Sequence, residues 1–372
     1  MNRILHVVYQ MERGGAETWL MHVLRHIDRS RFRFDFLVHV AKQRAYDDEI
    51  LSLGGRLFHA PHPSKMWAYG RYVRRVLRDE GPFAAVHCHT HLFDGHVLRL
   101  SARAGIPLRI VHSHNSAFDR PPGLLHEMYA RINRHWMTKY VTRGLACSEV
   151  AAVAEFGGRW KADPRWSILP YGHDFAPFRA SFDPREVRRE LGIPADARVV
   201  GHVGRFFPQK NHAFLVKIAR EVVAHNPRVH FLLVGDDTLM PRIREQVAAA
   251  GIEKRVTFAG VRSDVPRLML AAMDLFLFPS LHEGLPLALT EAQAAGLPCV
   301  CSDVITPESD VIPALIRRVP LAETAAAWAG IVQGILDSPT AITKADALAA
   351  VEESPFNLFK TIGQLERLYD GR

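Results

Sequence analysis

Cysteine is scarce in this chain: four residues in 372, at 88, 147, 299 and 301. They are not spaced as a zinc site or a disulfide framework. Cys299 and Cys301 alternate on an apolar stretch and read as core side chains rather than a redox pair. No apolar run approaches the 18 or so residues that span a bilayer, and the first residues turn polar too quickly for a signal peptide, so a cytoplasmic protein is expected. Internal repeats and low-complexity tracts are missing, which excludes solenoids and biased linkers. With 48% hydrophobic and 23% charged residues, disorder is excluded as well. Charge of one sign is only mildly in excess, +8 from 47 basic and 39 acidic residues. That permits an anionic membrane surface or an anionic substrate without choosing between them. With no base-recognition motif, no nucleic acid partner is expected.

What is present is alternation. Short apolar runs at 4–9, 34–40, 56–59, 84–91, 109–115, 145–148 and 168–174 read as strands, separated by helical patterns. This spacing argues a doubly wound parallel sheet. A polar, proline-containing stretch at 175–196 reads as a hinge, after which the alternation resumes at 199–204, 230–235, 256–262, 275–278 and 299–302. The chain is long for one core and comfortable for two. The expected division is a first domain over 1–178, a second over 192–350 and a terminal helix over 351–372.

One stretch, 280–296, organises the rest. A buried strand at 275–278 runs into a loop bearing Glu283, Gly284 and Leu285. Pro286 suits the first turn of a helix, which carries Glu291 and closes at Gly296 before Pro298. A helix start between two carboxylates offers free amides to a phosphate, with an acid on either side for hydroxyls. A nucleotide-sugar has that shape. Taken alone, the spacing fits an ordinary strand–loop–helix with two exposed acids equally well. The pair Gly14 and Gly15 follows the first strand, where backbone can approach a ligand closely or simply make a tight turn.

Glu283 and Glu291 reproduce the E-x7-E pattern of retaining glycosyltransferases of the GT-B class, family 4. The words around them, Glu-Gly-Leu-Pro from 283, Glu-Ala-Gln-Ala-Ala-Gly-Leu-Pro-Cys from 291 and Ser-Asp-Val-Ile-Thr-Pro-Glu from 302, resemble the branch that builds bacterial capsular and exopolysaccharides. The resemblance runs over most of the chain. It implies an α/β fold of the GT-B kind, two Rossmann-like doubly wound domains facing across a cleft. The first domain would take the acceptor and the second the nucleotide-sugar, UDP- or GDP-linked. It implies a sugar contact for Glu283 and a ribose contact for Glu291, with Gly284 and Leu285 beside the donor and Gly14 and Gly15 facing the acceptor and donor phosphate. Arg205 and Lys210 match the family's basic pair at the pyrophosphate, where two cations neutralise a leaving diphosphate.

The resemblance also implies a histidine near the reacting carbon. His112 and His114 both end a strand there, and His114 is the expected one. His173 stands where the family has an aliphatic residue, which leaves its role open. His87, His89 and His91 alternate, so the three side chains could share a face. No acid pattern supports a metal there, and the resemblance implies none, nor any cofactor. The acceptor would be a glycan, a lipid-linked sugar or a small molecule. The cationic stretches 69–78 and 124–143, which interleave tyrosine and tryptophan, fit either a peripheral contact with anionic lipid or a solvated helix face. A sugar-nucleotide epimerase or a non-catalytic nucleotide-sugar binding protein would share the two-domain plan.

Overall fold

Residues 1–114, 123–338 and 340–371 are described by the computed structural model, apart from the side chains of Leu92 and residues 124–126. The expected strand 109–115 and terminal helix 351–372 thus each end one residue outside the described residues, at Asn115 and Arg372. The chain divides into two compact units, Met1–His173 with Leu358–Arg372, and Asp174–Asn357.

The first unit holds a seven-stranded sheet: β1 (Asn2–Val8), β2 (Phe32–Val38), β3 (Leu57–His59), β4 (Ala85–Cys88), β5 (Leu108–Ser113), β6 (Arg143–Ala146) and β7 (Trp166–Ile168). Their order is β3-β2-β1-β4-β5-β6-β7, and every pairing is parallel. Apolar continuity follows from that arrangement, because a parallel sheet is covered on both faces. Leu5, Val7, Val86, Cys88 and Val111 pack with Tyr69, Val73, Val97 and Leu98 of the covering helices Met66–Asp79 and Asp94–Arg103.

The second unit repeats the plan with β8 (Arg198–Val203), β9 (Val229–Val234), β10 (Val256–Gly260), β11 (Leu275–Phe278), β12 (Cys299–Ser302) and β13 (Ile316–Val319), in the order β10-β9-β8-β11-β12-β13. All are parallel. Val200, Phe231, Leu275, Leu277, Val300 and Trp328 centre its core. Each large apolar side chain buried there contributes roughly 1.5 to 3 kcal/mol. Cys299 and Cys301 are buried core residues on β12.

The division of the chain differs by a few residues from the boundaries at 178 and 351. A single turn at Ala176–Arg179 and the helix Lys344–Glu353 belong to the second unit, and Arg179 pairs there with Glu352 at 2.8 Å. The chain rejoins the first unit at Leu358, whose N–H donates to the His173 carbonyl. The helix Leu358–Tyr369 then packs on that unit: Arg31 reaches Asp370 at 2.6 Å, and the Tyr369 hydroxyl meets His87 Nδ1 at 2.8 Å.

Candidate functional site

In a doubly wound sheet, ligands bind beyond the carboxyl ends of the strands where the strand order reverses. That switch lies between β8 and β11 in the second unit and between β1 and β4 in the first. Arg205 and Lys210 follow β8, and Glu283 follows β11. These residues are 73 positions apart in the chain, yet Lys210 Nζ sits 2.6 Å from Glu283 Oε1, with side chains 18% and 7% exposed. The ammonium also lies 4.6 Å from the centre of the Phe278 ring. A pair this sheltered from water holds both side chains at the strand ends with little freedom.

The loop 205–212 is tied to the loop after β11 by groups that no local pattern announced. Gln209 Nε2 donates to the His282 carbonyl at 2.8 Å and to Glu283 Oε2 at 3.1 Å, while Leu281 N–H donates back to the Gln209 carbonyl. Asn211 takes the left-handed conformation at φ 55° and donates to the Pro279 carbonyl at 3.1 Å. Arg205 is half exposed and lies 3.9 Å from Asp237. The turn at Gly235, Asp236 and Asp237 is held by Gly235 at φ 134°, where an added Cβ would lie 2.1 Å from the Gly204 carbonyl oxygen. Only glycine fits both that angle and that approach.

The helix after the motif covers Leu287–Ala294, with Pro286 as its N-cap residue at ψ 101°. The expectation that Pro286 would lie in the first turn is therefore off by one residue, because its extended ψ keeps it outside the helix. Glu291 is the fifth helical residue and half-buried, about 6 Å along the axis from the helix start. Buried Gln293 anchors this helix, donating to the Ser309 carbonyl and accepting from Ile312 N–H, both at 2.8 Å. Gly284 and Leu285 are buried beside Glu283. Behind Lys210, His202 Nδ1 donates to the Leu277 carbonyl, 2.9 Å away. Burial, then the neighbouring Lys210 charge, pushes His212 down to about 4.

In the first unit, Gly14 and Gly15 open the helix Gly15–His26 after β1. A Cβ on Gly14 would meet the Glu17 carboxylate at 2.4 Å, whereas Gly15 faces open space. His112 lies on β5, fully buried against the edge of Trp19 at 4.9 Å. His114, two residues on, is 6% exposed, with Nδ1 at 2.6 Å from the Tyr171 hydroxyl and Nε2 at 2.7 Å from His89 Nδ1. Burial, and then the neighbouring His89 for His112 and His112 for His114, holds both rings well below the ordinary histidine value. His173 is buried, its ring 4.9 Å from that of His22.

The shared face expected for His87, His89 and His91 is corrected. His91 sits at φ 54° in a tight turn after β4 and pairs with Glu155 at 2.7 Å, and His6, His112 and His114 join His87 and His89 instead. The basic helices also differ from expectation. Tyr69 is buried in the core, and the exposed aromatic is Trp67, 82% accessible, among Lys65, Arg71, Arg74 and Arg75. On the helix Leu124–Tyr140, Met128 and Ile132 are exposed among Arg131, Arg134 and Lys139. Trp136 turns instead beneath Arg99, 4.4 Å from ring centre to guanidinium. Among the described residues, no helix is long and apolar enough to cross a membrane.

With this geometry in place, the chain can be compared with known proteins. Residues 14–172 match the family model for a glycosyl transferase 4-like domain, and residues 197–336 match that for glycosyl transferases group 1. EpsF of Bacillus subtilis, assigned as a glycosyltransferase, is 39% identical over 88% of this chain and 86% of its own. An Escherichia coli galactosyltransferase that moves galactose from UDP-Gal to GlcNAc-diphosphoundecaprenol is 31% identical over 58% of this chain and 57% of its own. Anabaena HepE, solved with UDP-glucose, superposes with a TM-score of 0.81 at 20% identity, covering both chains completely. That likeness is one of fold.

Proposed function

This chain belongs to the group 1 glycosyltransferases, whose first half is a glycosyl transferase 4-like domain, and on that premise we propose that it transfers a sugar from a UDP-sugar, with retention of configuration, to a lipid-linked or polysaccharide acceptor. The observation that carries the reading is the Lys210–Glu283 pair at the switch point of the second unit. Lys210 and Arg205 stand where a diphosphate would be neutralised as it leaves, and Glu283 where a sugar would be gripped. Amides after Glu283 add donors for the same charge. Each such donor is typically worth about 3 kcal/mol of barrier. Glu291 holds the ribose, and Gly14 and Gly15 leave room for the acceptor and donor phosphate.

The departing diphosphate itself takes the acceptor proton on the front face of the sugar, so no metal is needed on the phosphates. We assign the neutral His114 to the reacting carbon, as the family resemblance implies. A UDP donor is favoured over GDP by the relatives: the Escherichia coli enzyme uses UDP-Gal, and HepE was solved with UDP-glucose. The first also motivates a diphosphate-linked lipid acceptor. Exposed Trp67, Met128 and Ile132 within basic helices support docking at the cytoplasmic face of an anionic membrane, where such an acceptor resides. Thermal shifts with UDP-, GDP- and ADP-sugars test the donor, since a ligand at 100 times its Kd stabilises by about 2.7 kcal/mol. Stabilisation by a UDP-sugar alone is expected, and a response only to another nucleotide would overturn that choice. Product NMR tests the stereochemistry: an inverted anomeric linkage would refute retention.

A further inference from the structure

The first unit gathers five imidazoles where sugar transfer asks for one. His6 on β1 lies opposite His87 on β4, and the next steps of the β4–β5 register carry His89 alongside His112. Since strand side chains alternate, positions 6, 87, 89, 112 and 114 all face the same side of the sheet. Their neighbouring rings lie 4.3 to 5.7 Å apart, and none is more than 9% exposed. A hydrogen-bonded chain accounts for three of them: His6 Nδ1 to His89 Nε2 at 3.1 Å, then His89 Nδ1 to His114 Nε2 at 2.7 Å. His87 meets the Tyr369 hydroxyl instead, which leaves His112. Neither of its ring nitrogens makes a well-formed hydrogen bond, although the Leu169 backbone lies near enough to interact with the ring.

We propose that His89, His112 and His114 bind one divalent transition-metal ion of the zinc class, with water at the fourth position. Their ligand nitrogens lie within 4.8 Å of one another. Tetrahedral zinc with bonds of about 2.0–2.1 Å wants such nitrogens about 3.3 Å apart, so the close His89–His114 pair must open by roughly half an ångström. The ion then takes the place of the proton the two rings share. His89 carries its hydrogen on Nε2, donating to His6 Nδ1, and His114 carries its hydrogen on Nδ1, donating to the Tyr171 oxygen. Each ring stays neutral, no proton leaves the protein, and two of the three ligands gain the outer hydrogen bond that orients a metal-bound imidazole.

A second triad, His6, His87 and His89, is also close enough, but the Tyr369 hydroxyl occupies His87 Nδ1, and His6 and His87 are fully buried. His89 and His114, at 9% and 6% exposed, give an ion its way in. An all-nitrogen ligand set with no carboxylate selects zinc, cobalt, nickel or copper over magnesium and calcium. The set includes His114, so an ion there takes that ring from the sugar-transfer role proposed above, whereas Lys210 and Glu283 lie in the second unit.

The test uses the full chain, purified without a histidine tag and stripped by chelator. Cobalt(II) titration should produce ligand-field absorption saturating at about one equivalent, abolished by zinc and untouched by magnesium. His112→Gln should weaken zinc binding at least tenfold, while His91→Gln, outside the set, should bind as wild type does. Absence of the cobalt bands in the wild-type chain overturns the proposal whether or not the variants fold. So does undiminished zinc binding by a folded His112→Gln protein, and the cluster is then a hydrogen-bonded histidine chain only.

Discussion

Removing the charge of Lys210 probes the donor site from two directions at once. Lys210→Met keeps the aliphatic stem, which packs where a Gly204 Cβ would lie only 3.2 Å from Lys210 Cδ and Cε, and deletes the ammonium 2.6 Å from Glu283. Taking one partner from a buried ion pair costs about 3 to 5 kcal/mol. With Lys210 18% exposed, the lower end, about 3 kcal/mol, is expected. Glu283→Gln leaves the ammonium facing water on its open side and should cost about 1 to 2 kcal/mol. Because the double variant removes both charges, it should cost no more than Lys210→Met alone, giving a coupling energy of about 1.5 kcal/mol. Urea midpoints of the four proteins measure it. Losing one cation at the leaving diphosphate should separately lower turnover at saturating donor by about 150-fold, or 3 kcal/mol. Additive destabilisation in the double variant, or turnover within about threefold of wild type, would refute the placement of Lys210.

Three further outcomes are expected. Burial pushes His212 and His230 down to about 4, so below about pH 6.5 the unfolded chain binds protons that the folded chain refuses. Stability should be lost as pH falls from about 6.5 towards 4, by up to about 2 kcal/mol for each histidine at pH 5. Urea midpoints at pH 7.5 and 5 test this, and His212→Asn and His230→Asn should each flatten the dependence. Gly235→Ala should cost about 3 kcal/mol or more, since its Cβ meets a carbonyl oxygen at 2.1 Å. Gly105→Ala, at φ 76° in open space, should cost about 1 kcal/mol. The protein should co-sediment with anionic vesicles at low salt and be released as salt rises, and Trp67→Ala should weaken the association. Equal recovery with neutral vesicles removes membrane docking.

Most of the sheet was legible because strands covered on both faces read as apolar runs: the strands at 275–278 and 299–302 coincide with β11 and β12. β13 escaped because Ile316–Val319 carries Arg317 and Arg318 at the sheet edge, where polar side chains are tolerated. Glu283, Lys210 and Arg205 could be nominated through the family resemblance. Gln209 and Asn211 could not, since their bonds cross the chain between loops 68 to 74 residues apart. The histidines show the same limit. Alternation alone groups 87, 89 and 91, but strand register brings in 6, 112 and 114, and one left-handed turn sends His91 to Glu155.

The division of labour between the two glutamates is the central claim, and one paired measurement tests it most directly: UDP affinity and saturating turnover for Glu283→Gln and Glu291→Gln. Ribose hydroxyls do not change as the glycosidic bond breaks, so Glu291→Gln should weaken binding of free UDP and of the UDP-sugar alike. Charge develops on the sugar in the transition state, so Glu283→Gln should leave UDP affinity near that of wild type and lower turnover. Equal loss of UDP affinity in both variants contradicts the assignment, and normal transfer by both places the catalytic site elsewhere.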